Sequence, residues 1–394
     1  MSKKSKSNCV FCGKQPEGQN KEHVIPKWLM KLTGDENRFA YFGRNKNDGK
    51  FIAPIANMED ILSKEKSNLH RTYRFSSFQF PACKICNDEF AVLEGNTKPI
   101  VENLIKNNTL IKEDVPILLD WLDKVRVGTW LGNLQLDKNG HDIKPNFAIK
   151  QRMGASDRVL MIKRIEGFDD GINLIGTDTY AFYSTPSVFG LRINEYILFN
   201  MSSVFIVSKE LGFPYYESSE YNYNTGKVGV AMIRGTEGLK KPLPYIDAKN
   251  MSVKLYQPIF DAKAIDEEGL YKSNYVRNNS LDYENGKGDI FIGDDSIRPM
   301  RKKEKITFSK CDDLYPFYSE ELLAIDVLGW QSWVVHDFFS RIDLSKLTKE
   351  QKENMSEQYN SAIKLNEKYI KKVSKLNFQK SMGLMSALKD MEGG

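Results

Sequence analysis

The sequence predicts an α+β fold in four stretches, and three observations carry that prediction. Two Cys-x-x-Cys pairs frame residues 1–96. Short apolar or alternating segments fill residues 141–315. Helical spacing occupies residues 97–140 and returns over 316–394. At 394 residues there is room for more than one hydrophobic core.

Bulk properties exclude some classes. No apolar run approaches the roughly 20 residues that cross a bilayer; the longest candidate, Ile197 to Val207, is broken by Asn200, Ser202 and Ser203. The start, MSKKSKS, lacks the apolar stretch of an export signal. The expectation is a cytoplasmic chain with no membrane partner. Residues 1–90 hold 16 Lys and Arg against 10 Asp and Glu, so the basic excess lies with the cysteine pairs. That suits a polyanion such as nucleic acid, although Lys3, Lys4 and Lys6 of the tail supply half of it. Four of the five cysteines fall in the two pairs, which in a cytosolic chain reads as metal rather than disulfide. Cys311 stands alone and reads as a buried thiol.

In residues 1–96, Pro26 opens a short helical turn with Trp28, Leu29 and Leu32 on one face. Phe39–Phe42 and Phe51–Pro54 flank RNKNDGK as a hairpin, Tyr73 to Phe80 reads as one strand, and a helix should run from Asn87 through Leu93. Residues 97–140 form a helical connector, with helices over Lys98–Lys112 and Val115–Leu136. Pro116 helps start the second, whose packing face is Leu118, Leu119, Leu122, Val125, Thr129 and Trp130.

The region 141–315 supplies candidate strands in FAIKQR, RVLMIKRI, TYAFYS, INEYILFN, SSVFIVSK, KVGVAMI and MSVKLYQPIF, giving one antiparallel or mixed sheet of unassigned role. The aromatic loop FPYYESSEYNYNTG offers rings that stack bases or simply pack locally. In 316–394, SEELLAIDVLGWQSWVVHDFF reads as a buried helix with His336 a core histidine. Thr348 to Gln351 is a capping box. The helix it opens carries Met355, Tyr359, Ala362, Asn366, Tyr369, Val373 and Leu376 as a short heptad seam, which serves either a homodimer through 348–376 or packing within the chain. Lysines 364, 368, 371, 372 and 375 should be solvated.

The chemistry concentrates near the N-terminus. Cys9, Cys12, Cys83 and Cys86 present two thiolate knuckles, which together make a closed tetrahedral zinc site with a structural role. A zinc staple alone needs neither the Glu22-His23 dipeptide nor Asn87 directly after the last cysteine. A carboxylate and an amide oxygen make an incomplete hard-donor site of the kind Mg²⁺ or Mn²⁺ takes. A neutral histidine beside it can accept a proton from water. That is the minimal kit for hydrolysing a phosphodiester.

With Cys9, Cys12, Glu22, His23, Pro26, Cys83, Cys86 and Asn87 in this order, residues 1–96 resemble the HNH, or ββα-metal, endonuclease superfamily. The likeness is to its zinc-stapled members, phage junction resolvases with an Asp-His and a Cys-x-x-Cys-Asn among them. The resemblance implies a treble-clef-like module in which the four cysteines hold zinc and His23 is the general base. It implies that Asn87 and Glu22 bind the catalytic Mg²⁺ or Mn²⁺, and that DNA is cut to 5′-phosphate and 3′-hydroxyl ends. Glu22 stands where Asp is commoner, and about 60 residues separate His23 from Cys83, so an insertion must loop out. The family's middle Asn has no evident counterpart; Ser76 and Ser77 lie nearest, with Asn68 and His70 upstream. The remaining stretches would then regulate or target cleavage through a ligand or protein partner, as in bacterial defence against phage. The alternative expectation is a non-catalytic zinc module that binds nucleic acid or protein.

Overall fold

A computed structural model describes residues 8–9, 11–14, 20–34, 39–42, 71–74, 79–136, 156–165, 170–177, 179–203, 205–208, 211, 213, 215–222, 227–233, 252–259, 288–293, 297–309, 320–341, 345 and 347–392. It is α+β throughout. The first elements are β1 (Asn20–His23), α1 (Lys27–Leu32), β2 (Phe39–Phe42), β3 (Arg71–Arg74), β4 (Gln79–Ala82) and α2 (Lys84–Asn107). β1 pairs antiparallel with β4, and β2 with β3. Phe39–Phe42 thus takes Arg71–Arg74 as its partner; Phe51–Pro54 lies outside the described residues, as do FAIKQR, Cys311 and the candidates Ser76, Ser77, Asn68 and His70. The strand expected over Tyr73 to Phe80 is two strands in different ladders. Its aromatics change parity between Phe75 and Phe78, which one period-2 strand cannot accommodate.

α2 is one helix where two were expected, and it runs through both Gly95 and Pro99. Proline gives up only the bond to the Gly95 carbonyl, and both residues are exposed, so water can replace it. Asn108 ends the helix in the left-handed region (φ 55°). β5 (Thr109–Ile111) and α3 (Asp114–Leu136) follow. The expected packing face of α3 is buried, and so is every other residue from Trp121 to Leu131, making α3 a central helix rather than a one-sided one.

The sheet comprises β6 (Asp157–Arg164), β7 (Ile172–Ile175), β8 (Val188–Ile193), β9 (Tyr196–Ser203), β12 (Ser252–Gln257), β13 (Phe291–Ile292) and β14 (Arg298–Pro299). Its order is β14-β13-β12-β6-β9-β8-β7, with every neighbouring pair antiparallel. Leu160, Ile162, Leu191 and Leu198 pack toward α3 and the N-terminal elements. Val159, Met161, Phe199 and Met201 pack on the other face against Leu323, Val327 and Trp330 of α5 (Glu320–Ser340). Covered on both faces, these strands read as continuous apolar runs.

Three expected strands change here. INEYILFN is split by the two-residue turn Asn194-Glu195, with Asn194 at φ 52°. TYAFYS is the short helix α4 (Tyr180–Ser184), because Thr179 Oγ1 accepts the Phe182 N–H at 3.1 Å and caps it. SSVFIVSK leaves the sheet after Ser203. Its turn is held by the buried Asp157 carboxylate, which accepts from Val207 N–H, Ser208 N–H and Oγ, and Ile259 N–H at 2.7–2.9 Å. Within the aromatic segment, β10 (Tyr215–Asn222) pairs with β11 (Lys227–Ile233), so that stretch is a hairpin strand rather than a loop. A last short strand, β15 (Lys305–Thr307), pairs with β5.

α5 lies on the sheet, and α6 (Lys349–Glu392) packs on α5. The capping box is reciprocal: Thr348 N–H donates to Gln351 Oε1 at 2.9 Å, and Gln351 N–H to Thr348 Oγ1 at 3.2 Å. The seam is used within the chain over Ala362 to Tyr369. Asn366 is buried and donates to the Leu328 carbonyl and to Ser332 Oγ, each at 3.2 Å. The five lysines are exposed. His336 is exposed rather than in the core, on the face that α5 leaves open beside α6, its Nδ1 2.9 Å from Tyr359 Oη. Among the described residues no helix is long and apolar enough to cross a membrane.

Candidate metal centre and adjoining site

The first knuckle is a tight loop. Gly13 N–H bonds the Cys9 carbonyl and Cys9 N–H the Lys14 carbonyl, each at 2.8 Å, and Gly13 takes φ 72° to close it. The second knuckle is a helix start: Cys83 is the N-cap of α2, its Sγ accepts the Cys86 N–H at 3.4 Å, and Asn87 N–H bonds the Cys83 carbonyl at 3.0 Å. Phe11 of the first knuckle packs against Phe90 of α2, the rings tilted by 47° with centroids 4.5 Å apart.

All four Sγ atoms lie within 4.8 Å of one another, and Cys12 and Cys83 are 3.8 Å apart. Zn–S bonds of about 2.3 Å in a tetrahedron place sulfurs about 3.8 Å apart, so the cluster fits a metal such as zinc. A disulfide would need sulfurs near 2.05 Å, and all four cysteines are free. Burial pushes the Cys9 and Cys86 thiols up. Burial also works upward on Cys83, but hydrogen bonds from Cys86 and the neighbouring thiols outweigh it and hold that thiol below its usual value. Its place at a helix N-terminus favours a thiolate in the same way.

β1 and β4 form a ladder that runs directly into α2, so Glu22 and His23 on β1 and Asn87 on α2 belong to one unit. They do not all face one way. Glu22 pairs across the ladder with Phe80, and both are buried toward α3, where Val24 and Phe80 approach Gly128. His23 pairs with Gln79, and strand alternation sends these two side chains to the other face. The His23 ring is half-buried, with Nε2 2.8 Å from the Gln79 amide nitrogen. With the amide this way round, Nε2 accepts and the ring proton sits on Nδ1; turned over, Gln79 accepts an Nε2–H. Either way the imidazole is tied to β4. Asn87 is half-buried and lies on the α2 face that also carries Phe90 and Glu94, the Glu22 side.

Sequence reasoning missed the strongest contacts of this site. Lys124 of α3 is 1% exposed and donates to Glu22 Oε1, to Glu94 Oε1 and, at 3.0 Å, to the His23 carbonyl. Its ammonium also lies 5.4 Å from the Phe90 ring centroid. Burial pushes the Glu94 carboxyl up, Lys124 opposes this, and the Glu22 charge adds to it. The available signal was a lysine inside an apolar helix, in DWLDKVRVG. For a catalytic divalent cation the donor types are suitable, Glu22 Oε2 and the Asn87 amide oxygen. Glu22 Oε1, however, is committed to an ammonium whose charge works against a second cation.

Comparison with protein families, with characterised proteins and with solved structures finds no match for this chain.

Proposed function

We propose that the chain is a metal-dependent endonuclease of the ββα-metal type acting on DNA, with the rest of the molecule regulating or targeting it. The observation that carries this reading is the β1–β4–α2 unit capped by the four-thiol cluster, with His23 at the end of its first strand and Asn87 directly after its last cysteine. His23 takes the proton of a water molecule as the water oxygen attacks phosphorus. The bond to the 3′ oxygen breaks and that oxygen takes a proton from solvent water, so the ends are a 5′-phosphate and a 3′-hydroxyl. A divalent cation held by Asn87 and Glu22 would draw charge from the leaving oxygen. Lys21 shares the His23 face of β1 and is exposed, as are Lys27 and Lys31 of α1, and these meet the phosphate backbone.

The test is cleavage of plasmid and of branched and linear DNA with Mg²⁺ or Mn²⁺, beside His23→Ala. The variant should lose at least about 100-fold in rate while keeping its fold and its zinc; undiminished cutting would sink the assignment. A second reading, a non-catalytic zinc module that binds nucleic acid or protein, is favoured by two observations, the Glu22–Lys124 ion pair and the placing of the His23 ring on the opposite ladder face from Glu22 and Asn87. It predicts binding without cleavage in every metal.

A further inference from the structure

We infer that Lys124 is a positioning residue for His23, an inference that rests on the nuclease reading of the same site. An ammonium has three donors, and Lys124 directs all three to one junction: the Glu22 carboxylate on β1, the Glu94 carboxylate on α2 and the carbonyl of His23 itself. His23–Gln79 is the last pair of the β1–β4 ladder, and the chain bends directly after it through Val24 and Ile25 to Pro26. The ladder therefore stops at the residue that carries the imidazole. Beyond that point the described anchor of the His23 peptide comes from α3, 101 positions along the chain.

The environment argues that this contact is more than filler. Lys124 lies in a stretch of α3 buried without interruption from Trp121 to Leu131, where an apolar side chain would pack without the desolvation of an ion. Two arms of the ammonium end on carboxylates and the third on the main chain of His23. Besides its place beside the divalent cation, Glu22 fixes the ammonium that fixes His23. Gln79 holds the imidazole from β4 while Lys124 holds the peptide from α3, so backbone and ring are clamped from two directions.

The experiment replaces the ionic cluster with neutral groups in the full chain, as Glu22→Gln/Glu94→Gln/Lys124→Met. A purely structural ion cluster is relieved by this exchange, because no unpaired charge remains. A clamp is not, because the bond to the His23 carbonyl is lost. The expected result is a folded, zinc-loaded protein whose kcat falls at least about tenfold below that of Glu22→Gln/Glu94→Gln, which makes the same change at Glu22 and keeps Lys124, with KM within about twofold, since a small displacement of a reacting group is enough to slow the step. The backbone order parameter of the Val24 amide, read by nuclear magnetic resonance, should fall from about 0.85 to below about 0.7. A kcat in the folded triple variant equal to that of Glu22→Gln/Glu94→Gln, or an unchanged Val24, overturns the inference. Should that variant not fold, Glu22→Gln/Glu94→Gln/Lys124→Leu, neutral in the same way, carries the same two readouts. If wild type and His23→Ala cut equally, the nuclease reading fails separately, and the Val24 measurement still decides the clamp.

Discussion

Cys83 serves three purposes at one position: it is a thiol of the four-sulfur cluster, the N-cap of α2, and the acceptor of the Cys86 N–H. Losing it therefore removes a ligand and a helix start together. Purified protein should carry about one zinc per chain by elemental analysis, and Cys83→Ala should bring this close to zero and open residues 1–96 to proteolysis. Retained zinc in that variant would place the metal elsewhere. The cysteines were legible because each knuckle is a local pattern, readable without knowing the fold. Lys124 was not, because its three acceptors come from β1 and α2, and a lone lysine among Trp121, Leu122 and Val125 gives no sequence clue to what it meets. His336 failed in the opposite direction: an apolar helix suggested burial, and the face it occupies is the one α5 leaves open beside Tyr359.

At the scale of elements, the junction between α2 and the sheet shows how a side chain can make pH matter. Tyr196 starts β9 and donates to Asn108 Oδ1, at the end of α2, at 2.6 Å. Burial, with the Glu195 charge adding and Arg164 opposing, pushes its phenol up to about 12, from an ordinary value near 10. The native state thus holds this proton more tightly than the unfolded chain does. The stability it contributes is complete below pH 10 and is lost as pH rises through about 12. Urea midpoints measured across that window should fall more steeply for wild type than for Tyr196→Phe, and parallel curves would refute the linkage. The same variant should cost about 1 kcal/mol at neutral pH for the lost hydrogen bond.

Element identity was legible where one period ran long, as in β6, β11 and α5. It failed where a short capping or turn residue had to outweigh apolar strand-like neighbours. Thr179 and Asn194 carry those decisions, and one residue among six or eight is easily outvoted by a pattern.

For the whole molecule, α3 joins what the sequence divides. One side of it holds Lys124 to β1 and α2. Another presents Asp120 and Asp123 to the buried Arg158 of β6, while Arg126 reaches Asn200 of β9 at 2.6 Å. The N-terminal elements, α2, α3 and one sheet face share a continuous apolar cluster. A fragment ending at residue 96 would cut α2 in half and leave Glu22 without its ammonium. Loaded with zinc, it should show poor dispersion in its amide spectrum, whereas the full chain is well dispersed; a well-folded fragment would mean that residues 1–96 are self-sufficient. The α+β class was readable from composition by region, but the division into stretches followed changes of pattern, and packing across those changes leaves no periodic trace.

The four-thiol cluster also has a consequence for chain length. With zinc bound it would tie Cys12 to Cys83 across a sequence separation of 71. A cross-link of that span lowers unfolded-state entropy by an amount equivalent to about 4 kcal/mol on the chain-closure relation. Once closed, the loop is insensitive to its own contents, since doubling its length changes closure by only about 0.6 kcal/mol. The length of chain between β2 and β3 can therefore grow or shrink with little effect on closure.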